Sequence, residues 1–348
     1  MAVTLQKIAD AVQVDRSAVS RVLNGKGRSI GLSEERIRQI EETARRMNYR
    51  PNTAARAVKR GSFGNIALLS GTVKDRSSLH PGLLDRIHDR LAGHNLSLTL
   101  AKLPDEKLIE DGVVPRILRE SFADGMLINY THAAPSGMVS LVEELNLPVV
   151  WLNTRHEHDC VHPDDFNSVR LATEALLRRG HRRVAFWDLV HRRAAIHHAH
   201  YSVSDRLLGY ESTMKDAGLA SDVVFRDDVG PAEGDRIPIV RDLMQRDDRP
   251  TAVITYGFGT TVAWGVRDAG LNIPGDVTVV ALDAVASRSL PIHVVEPDLD
   301  RMADAVVDLL MRRMRDDSHP AEPVVVPFHF HAPPGDTPLG PVPVPVKP

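Results

Sequence analysis

From residue 65 onward, short apolar runs alternate with amphipathic stretches, and this alternation restricts the chain to one fold class. Six runs are candidate strands: 65–70, 125–130, 148–153, 183–188, 251–256 and 278–283. Short apolar strands separated by helical patterns form parallel sheets flanked by helices, so the sequence predicts an α/β body. Two such sheets in one chain would make two lobes with a cleft between the strand ends, where open α/β sheets bind ligands.

Length and composition exclude several other classes of protein. The 348 residues are enough for two or three domains, and 43% hydrophobic residues can form a sizeable core. The single cysteine, Cys160, cannot form an internal disulfide. No apolar run approaches the ~18 residues that a membrane span requires, and Asp10 stands where a signal peptide would be apolar. We therefore expect a cytoplasmic protein.

The net charge of -3 hides an uneven distribution along the chain. Residues 1–60 contain 13 basic and 6 acidic residues, whereas the remainder contains 30 basic and 40 acidic residues. A small basic segment on a larger acidic body indicates that the basic segment, and not the body, meets a polyanion.

This basic segment has the pattern of three short helices. Thr4, Asp15 and Ser33 are candidate N-caps, and each precedes a stretch with apolar residues at helical spacing. We expect the Asp15 carboxylate to accept hydrogen bonds from the N–H groups of the second helix. Two short helices joined by a tight turn and completed by a third form a helix-turn-helix, whose second helix enters the major groove of DNA.

Eight motifs are distributed along the chain: Val3–Ala11, Val19–Gly25, Asn48–Arg56, Asp164–Asn167, Leu177–Phe186, Arg206–Tyr210, Ala217–Leu219 and Ile273–Val280. In these motifs the sequence resembles the LacI/GalR (lactose-repressor-like) family of transcriptional regulators. The resemblance extends from Val3 to Val326.

The resemblance implies an N-terminal all-α helix-turn-helix DNA-binding domain plus hinge helix, followed by a two-lobed α/β periplasmic-binding-protein-like body with parallel sheets flanked by helices. The corresponding domains are residues 1–50, the hinge helix and linker 51–62, and the effector-binding and dimerisation body 63–330. The Pro-rich tail, 331–348, is expected to be extended because it has too little apolar surface to fold.

The exposed face of the second helix gives the strongest functional signal. Arg16 and Ser17 lie at its N-terminal end and Arg21 follows one turn later, where arginine can bind guanine O6 and N7 together. A solvated basic face is the alternative. The resemblance implies DNA contacts for a larger set: Asp15, Arg16, Ser17, Ala18, Ser20, Arg21 and Asn24.

Residues 52–60 are too short to form a stable helix alone, so they should become ordered only against DNA or a second copy. By resemblance this segment is a hinge helix that wedges into the minor groove and bends the duplex. Val58 stands where the family usually has leucine, and a plain linker is the alternative. The implied DNA-contacting residues are Asn52, Ala55, Val58 and Lys59.

In the body, Arg206 and Asp283 match family positions that line the cleft and bind effector. A surface cation and a strand-end cap are the respective alternatives. The family usually has Asn-Asp where this chain has Tyr256-Gly257-Phe258, and His80 lies in the opening loop of the first lobe. Ring faces and one arginine favour a sugar or sugar acid stacked on an aromatic residue.

Histidines and Cys160 raise the alternative of a metal site. His156, His158, Cys160 and His162 alternate, so on a strand they would share one face, and the ligand types suit zinc or copper. His197, His198 and His200 form a second group. Alternation alone does not give convergent geometry, so we assign no metal ligand and no cofactor.

The sequence supports neither a catalytic site nor a nucleotide-binding site. No oxyanion-hole motif accompanies Cys160, and Gly257-Phe258-Gly259 lacks the third glycine of a dinucleotide fingerprint. We therefore assign no enzyme activity and no catalytic residue.

The sequence thus predicts a DNA-binding transcription regulator, most simply a repressor. It would act as a homodimer on a near-palindromic operator in double-stranded DNA, and a small-molecule effector in the cleft would control it. An effector-independent or metal-responsive regulator is the alternative. A periplasmic-type binding protein or an enzyme fits the basic segment less well.

Overall fold

The chain divides into two compact units, Met1–Phe63 and Gly64–Pro348, which we call the head and the body. This computed structural model describes residues 3–50, 61–71, 77, 79–103, 123–130, 134, 136–144, 148–196, 200–229, 236–282, 290–315 and 320–340. Four predicted hinge contacts therefore lie outside the described residues: Asn52, Ala55, Val58 and Lys59.

The head consists of three α-helices: α1 (Leu5–Val12), α2 (Arg16–Leu23) and α3 (Glu34–Arg46). The Thr4 hydroxyl accepts from the Lys7 N–H (3.4 Å) and the Ser33 hydroxyl from the Arg36 N–H (3.3 Å), so both capping predictions are confirmed. The apolar faces meet in one core made of Ile8, Ala9, Val12, Val19, Val22, Ile40 and Ala44.

The prediction that the Asp15 carboxylate caps α2 is wrong. Asp15 occupies the N-cap position with extended backbone, but its side chain is exposed and makes no capping hydrogen bond. Its carbonyl oxygen accepts from the N–H groups of Ala18 (2.9 Å) and Val19 (3.2 Å), which starts the helix without the side chain. The carboxylate remains favourably placed near the positive end of the helix dipole.

Twelve strands are described in the body, and they form two sheets: β1 (Asn65–Gly71), β2 (Ser97–Leu103), β3 (Gly125–Asn129), β4 (Val149–Leu152), β5 (Cys160–Pro163), β6 (Val184–Asp188), β7 (Asp222–Phe225), β8 (Ala252–Tyr256), β9 (Thr278–Ala281), β10 (His293–Pro297), β11 (Val324–Val326) and β12 (Phe328–His331). Lobe 1 contains the parallel order β11-β5-β4-β3-β1-β2, with Ile66 opposite Leu98 on one side and Gly125 on the other. Lobe 2 has the order β12-β10-β9-β8-β6-β7, in which only β12 is antiparallel.

Helices cover both faces of each sheet, which buries the apolar strands on two sides. The described body helices are α4 (Pro81–Gly93), α5 (Ser136–Glu144), α6 (Asp165–Arg178), α7 (Tyr201–Asp216), α8 (Ile237–Met244), α9 (Gly259–Asp268) and α10 (Leu299–Met314). Helices α4, α5 and α10 pack on lobe 1, and α6 to α9 on lobe 2. Within the described residues, every helix is too short or too polar to span a bilayer.

The chain crosses between the lobes at Asp164, Asp298 and Pro327. These crossings follow the carboxyl ends of β5, β10 and β11, so the carboxyl edges of the two sheets face each other across a cleft. The crossings are also joined to one another: the Asp164 N–H donates to the Val326 carbonyl (2.9 Å), and His329 Nε2 lies 2.6 Å from Asp298 Oδ2. All three therefore lie at one end of both sheets, and this end is the hinge of the body.

The C-terminal segment differs from the expected extended tail. Leu339 is buried in the core of lobe 2, and a Cβ on Gly340 would lie 2.6 Å from the Phe330 ring. Arg179 donates to the Thr337 hydroxyl (2.9 Å) and pairs with Asp336 (3.1 Å). The segment up to residue 340 is thus attached to lobe 2 by the contacts of Arg179 and by the buried side chain of Leu339. The prediction of an extended tail was based on the number of prolines and did not take these two contacts into account.

Candidate functional site

The exposed face of α2 is the candidate surface in the head. Val19 and Val22 turn into the core, which leaves Arg16, Ser17 and Arg21 exposed on the opposite side of the helix. Ala18 and Ser20 are half-buried, and the Asn24 side-chain amide donates to the Ser20 carbonyl (2.6 Å).

Two of these arginines differ from others in the head in their charge partners. Arg28 pairs with Glu34 (2.6 Å) and Arg45 lies 3.8 Å from Glu41, whereas Arg36 donates to carbonyl oxygens at the end of α1. Within residues 3–50, Arg16 and Arg21 form no ion pair. Their full charges are therefore available to phosphates or base edges on the same face of α2.

In the cleft, a buried ion pair joins the start of α6 to α7. Arg206 Nε donates to Asp165 Oδ1 (2.7 Å), and the two side chains are only 12% and 1% exposed. Burial raises the pKa of the Asp165 carboxyl, an effect that the Arg206 guanidinium opposes. Burial works against the charged form of Arg206 as well, but the charges of Asp165 and Tyr256 and the hydrogen bonds to them together more than offset burial and raise the pKa of Arg206. Arg206 Nη1 is buried and has no hydrogen-bond partner among the described residues.

Tyr256 contacts an arginine and a histidine. The Arg206 Cζ atom is 3.9 Å from the centroid of its ring, and the His191 ring is stacked nearly parallel to it at 5.5 Å. His191 is oriented by Asp188, whose Oδ2 lies 2.8 Å from the imidazole Nδ1. The Tyr256 ring therefore already has two stacking partners within the protein, and stacking of a ligand on it stays a prediction.

Phe258 is the other aromatic residue of this turn, and it remains 41% exposed. Gly257 and Phe258 both have left-handed backbone, with φ of 69° and 57°, and a Cβ on Gly257 would lie 2.4 Å from Val190 Cγ2. A left-handed conformation is uncommon for a bulky residue and is typical of functional turns. The Arg236 Cζ atom lies 4.1 Å from the Phe258 ring centroid.

A second group of contacts joins the lobes directly. Arg155, after β4, forms an ion pair with Asp205 on α7, and its Cζ lies 4.8 Å from the ring of Tyr201. His200 Nε2 lies 2.6 Å from the Asn153 carbonyl oxygen, so it carries the hydrogen and donates. These contacts fix the loop of lobe 1 against the start of α7.

The two remaining residues predicted to line the cleft, His80 and Asp283, are not among the contacts described above. His80 is the N-cap of α4, where its Nδ1 accepts from the Gly82 N–H (3.1 Å), so the ring has a structural partner. Asp283 lies outside the described residues.

The histidine and cysteine pattern around β5 is used in packing and hydrogen bonding. Cys160 is buried and its Sγ donates to the His156 carbonyl (3.3 Å), and burial raises the pKa of this thiol. The His156 ring packs on Trp151 (4.2 Å), and His162 Nδ1 lies 3.0 Å from the Pro163 carbonyl oxygen. In the described parts of the chain, no three His, Cys, Asp or Glu side chains are grouped to hold a metal ion.

Known proteins resemble this chain in both units. Residues 173–332 match the family model of the periplasmic binding protein-like domain. The HTH-type transcriptional regulator GalR of Escherichia coli K12 is 24% identical over 292 residues, which cover 81% of this chain and 80% of the relative. The ribose operon repressor of Halalkalibacterium halodurans is 25% identical over 313 residues, which cover 88% and 86%. The chain is thus similar over most of its length to transcriptional regulators of the LacI/GalR family.

Solved structures show that this chain shares the fold of the lac repressor. The lac repressor dimer bound to operator and an anti-inducer aligns with a TM-score of 0.73 at 18% identity, covering 95% of this chain and 98% of that one. The regulator CelR in complex with cellobiose aligns with a TM-score of 0.60 at 21% identity and the same coverage.

The sequence identified Arg206 as a cleft residue but gave no prediction for three others. Asp165 stands within the motif Asp164–Asn167, and that motif was a usable signal. His191 and Arg236 have no local motif, because a β-strand end and a helix start place them in the cleft only in three dimensions.

Proposed function

We propose that this protein is a sequence-specific DNA-binding transcriptional repressor that binds a near-palindromic operator as a homodimer. A small molecule in the cleft of the body controls its affinity for DNA. We assign it to the cytoplasm and assign it no enzymatic activity. The observation that carries the proposal is that Arg16 and Arg21 lie on the exposed face of α2 and form no ion pair within residues 3–50.

Relatives named as transcriptional regulators or repressors support this function, and the alignment with the ribose operon repressor covers 88% of this chain, which is more than the body alone. The basic head and acidic body give the required electrostatic division, because phosphate contacts supply most non-specific affinity. Base edges in the major groove supply specificity, and an arginine at the start of a recognition helix suits that role.

Dimerisation through the body is supported by an exposed leucine on an edge strand. β2 is the edge strand of lobe 1, and Leu100 on it is 57% exposed. Unpaired edges with large apolar side chains favour association with another chain. A two-fold axis would place two α2 helices on successive half-sites of the operator.

The cleft is proposed to hold a sugar or sugar acid. Arg206 offers the buried donor Nη1, and Phe258 offers an exposed ring at the same edge of the sheet. Because Tyr256 is already stacked, we propose Phe258 as the aromatic platform for the ligand. An effector changes DNA affinity only through different affinities for two states of the body.

Selection of operators from random DNA, followed by titration of variants, tests base readout. We expect Arg16→Ala to weaken operator binding by about 1–3 kcal/mol and to relax preference at one base pair per half-site. Arg45→Ala removes the same charge from α3 and is the matched control, expected to keep the wild-type base preference. A loss with Arg16→Ala that is uniform over all DNA sequences would show that Arg16 contacts only phosphate.

Operator titration with and without a cleft ligand tests effector control. We expect the folded Arg206→Ala protein to lose the effect of the ligand and to keep the operator binding of the ligand-free wild type, because the head carries the DNA contacts; Trp187 fluorescence measured in parallel reports whether the variant is folded. A variant that responds as the wild type does would place the effector elsewhere.

A further inference from the structure

Arg236 is a buried guanidinium at the carboxyl edge of the lobe 2 sheet. The residue is 4% exposed and precedes α8, and its Nη1 donates to the carbonyl of Leu189, which follows β6 (2.7 Å). Its Cζ lies 4.1 Å from the centroid of Phe258, which follows β8. Arg236 therefore lies at the same sheet edge as the Arg206 cluster.

Four arginines of the described body stack on aromatic rings, and three of them also pair with an aspartate. Those three are Arg155 with Asp205, Arg193 with Asp228, and Arg206 with Asp165. Arg236 is the fourth, and no carboxylate in the described residues forms an ion pair with it. Its charged neighbour is Arg226, and burial together with this like charge lowers the pKa of Arg236.

The hydrogen bonding of Arg236 is incomplete as well. Nε is buried and has no hydrogen-bond partner in the described residues. Arginine stays protonated in proteins, so this site holds a desolvated positive charge with an unused donor. Stacking on Phe258 offsets only part of that cost, because buried charges in proteins are normally paired as well as packed.

We propose that the effector carries an anionic oxygen group, a carboxylate or a phosphate, which Arg236 binds, while Phe258 contacts the rest of the molecule. The inference rests on the proposed function, since it assumes that the cleft takes a small-molecule effector. The guanidinium edge that carries Nε is the edge arginine uses for two parallel bonds to such a group. The ligand supplies the negative charge that Arg155, Arg193 and Arg206 each obtain from an aspartate.

A purely structural role for Arg236 makes a different prediction. An arginine that only ties α8 to the Leu189 carbonyl would affect stability, but it would not make binding depend on ligand charge. Charge selectivity therefore separates the two roles even if a variant is less stable.

The test uses matched pairs of neutral and anionic sugars with the full-length protein at constant ionic strength. The probes are D-glucose against D-glucuronate and D-glucose 6-phosphate, and D-galactose against D-galacturonate. Binding is measured by calorimetry and by the shift in the unfolding midpoint. We expect at least one anionic probe to bind about tenfold or more tightly than its neutral counterpart, and the carboxylate and phosphate arms identify which group is preferred.

Variants assign that preference to Arg236. Arg236→Met should abolish it, and Arg236→Lys should reduce it, because lysine keeps the charge but lacks the two parallel donors. Arg193→Met removes a ring-stacked arginine from the same lobe and should keep the preference. If Arg236→Met does not fold, Arg236→Lys alone decides the assignment.

Three outcomes would overturn the inference: no anionic probe binds more tightly than its neutral partner, none of the probes binds, or Arg236→Lys and Arg236→Met both keep the wild-type preference. Operator binding by the ligand-free wild type is measured in parallel. If that binding is intact, such an outcome rejects the anionic effector and leaves the proposed DNA-binding function standing. If it is absent, the proposed function fails on its own test.

Discussion

Removing Arg206 should make the stability of lobe 2 depend on pH in a way that the wild type does not. Asp165 is 1% exposed and its charge is compensated by Arg206 Nε at 2.7 Å. Breaking a buried pair by removing one partner typically costs about 3–5 kcal/mol. In Arg206→Met the Asp165 carboxyl can become neutral by binding a proton. The loss of unfolding free energy from the buried charge therefore cannot exceed the free energy of protonating this carboxyl, which depends on pH.

The limit follows from the pKa of Asp165 in the unfolded chain, about 3.9. Keeping the carboxyl protonated costs about 1.4 kcal/mol for each pH unit above that value, hence roughly 4 kcal/mol at pH 7 and roughly 1.5 kcal/mol at pH 5. Burial raises the pKa of this carboxyl, and without Arg206 nothing in the pair opposes that increase. A group with a raised pKa in the folded state stabilises most below its unfolded pKa, so the variant should lose stability as pH rises from about 4.

Urea unfolding at pH 5, 6, 7 and 8 measures this slope, with the fluorescence of Trp187, buried in lobe 2, as the signal. The double variant Asp165→Asn/Arg206→Met should lose the slope, because no titrating group remains. Arg193→Met breaks an exposed pair with Asp228 and should cost less than about 1 kcal/mol at every pH. If the difference in unfolding free energy between Arg206→Met and the wild type is the same at pH 5 and pH 8, Asp165 does not carry the buried charge inferred here.

Two further predictions concern the hinge segment and the dimer. The backbone amides of residues 52–60 should exchange rapidly in the free protein and become protected when the protein binds operator DNA, which hydrogen exchange measures. Protection of these amides without DNA would contradict the prediction that the segment orders only on binding. Leu100→Lys should weaken the dimer, as measured by sedimentation equilibrium. The control Leu208→Lys changes an exposed leucine of α7 and should leave the dimer unchanged. Equal effects of the two substitutions would argue against the β2 edge as the dimer contact.

Six central strands were predicted from sequence, whereas the central strands β5 and β10 and the edge strands were not. β1, β3, β4, β6, β8 and β9 are almost entirely buried, so they read as continuous apolar runs. β2 and β11 are edge strands with mostly exposed or half-exposed residues, and their patterns do not stand out from those of loops.

The site shows a similar division. Arg206 could be identified because it stands within the motif Arg206–Tyr210. The contacts of Tyr256 with Arg206 and His191, and the lack of an acidic partner for Arg236 within the described residues, depend on distances between strand ends far apart in sequence. Local pattern carries no information about such distances, so the chemistry of the cleft required the fold.

The position of the three crossings determines which parts of the body move most when the cleft opens or closes. They lie beside β11 and β5 in one sheet and beside β12 and β10 in the other, and β2 and β7 are the strands farthest away. With strands about 4.8 Å apart, β2 is roughly 24 Å from β11, so a rotation of about 10° displaces it by about 4 Å. A small change of angle at the three crossings would therefore displace the edge strand that carries Leu100 by several ångströms.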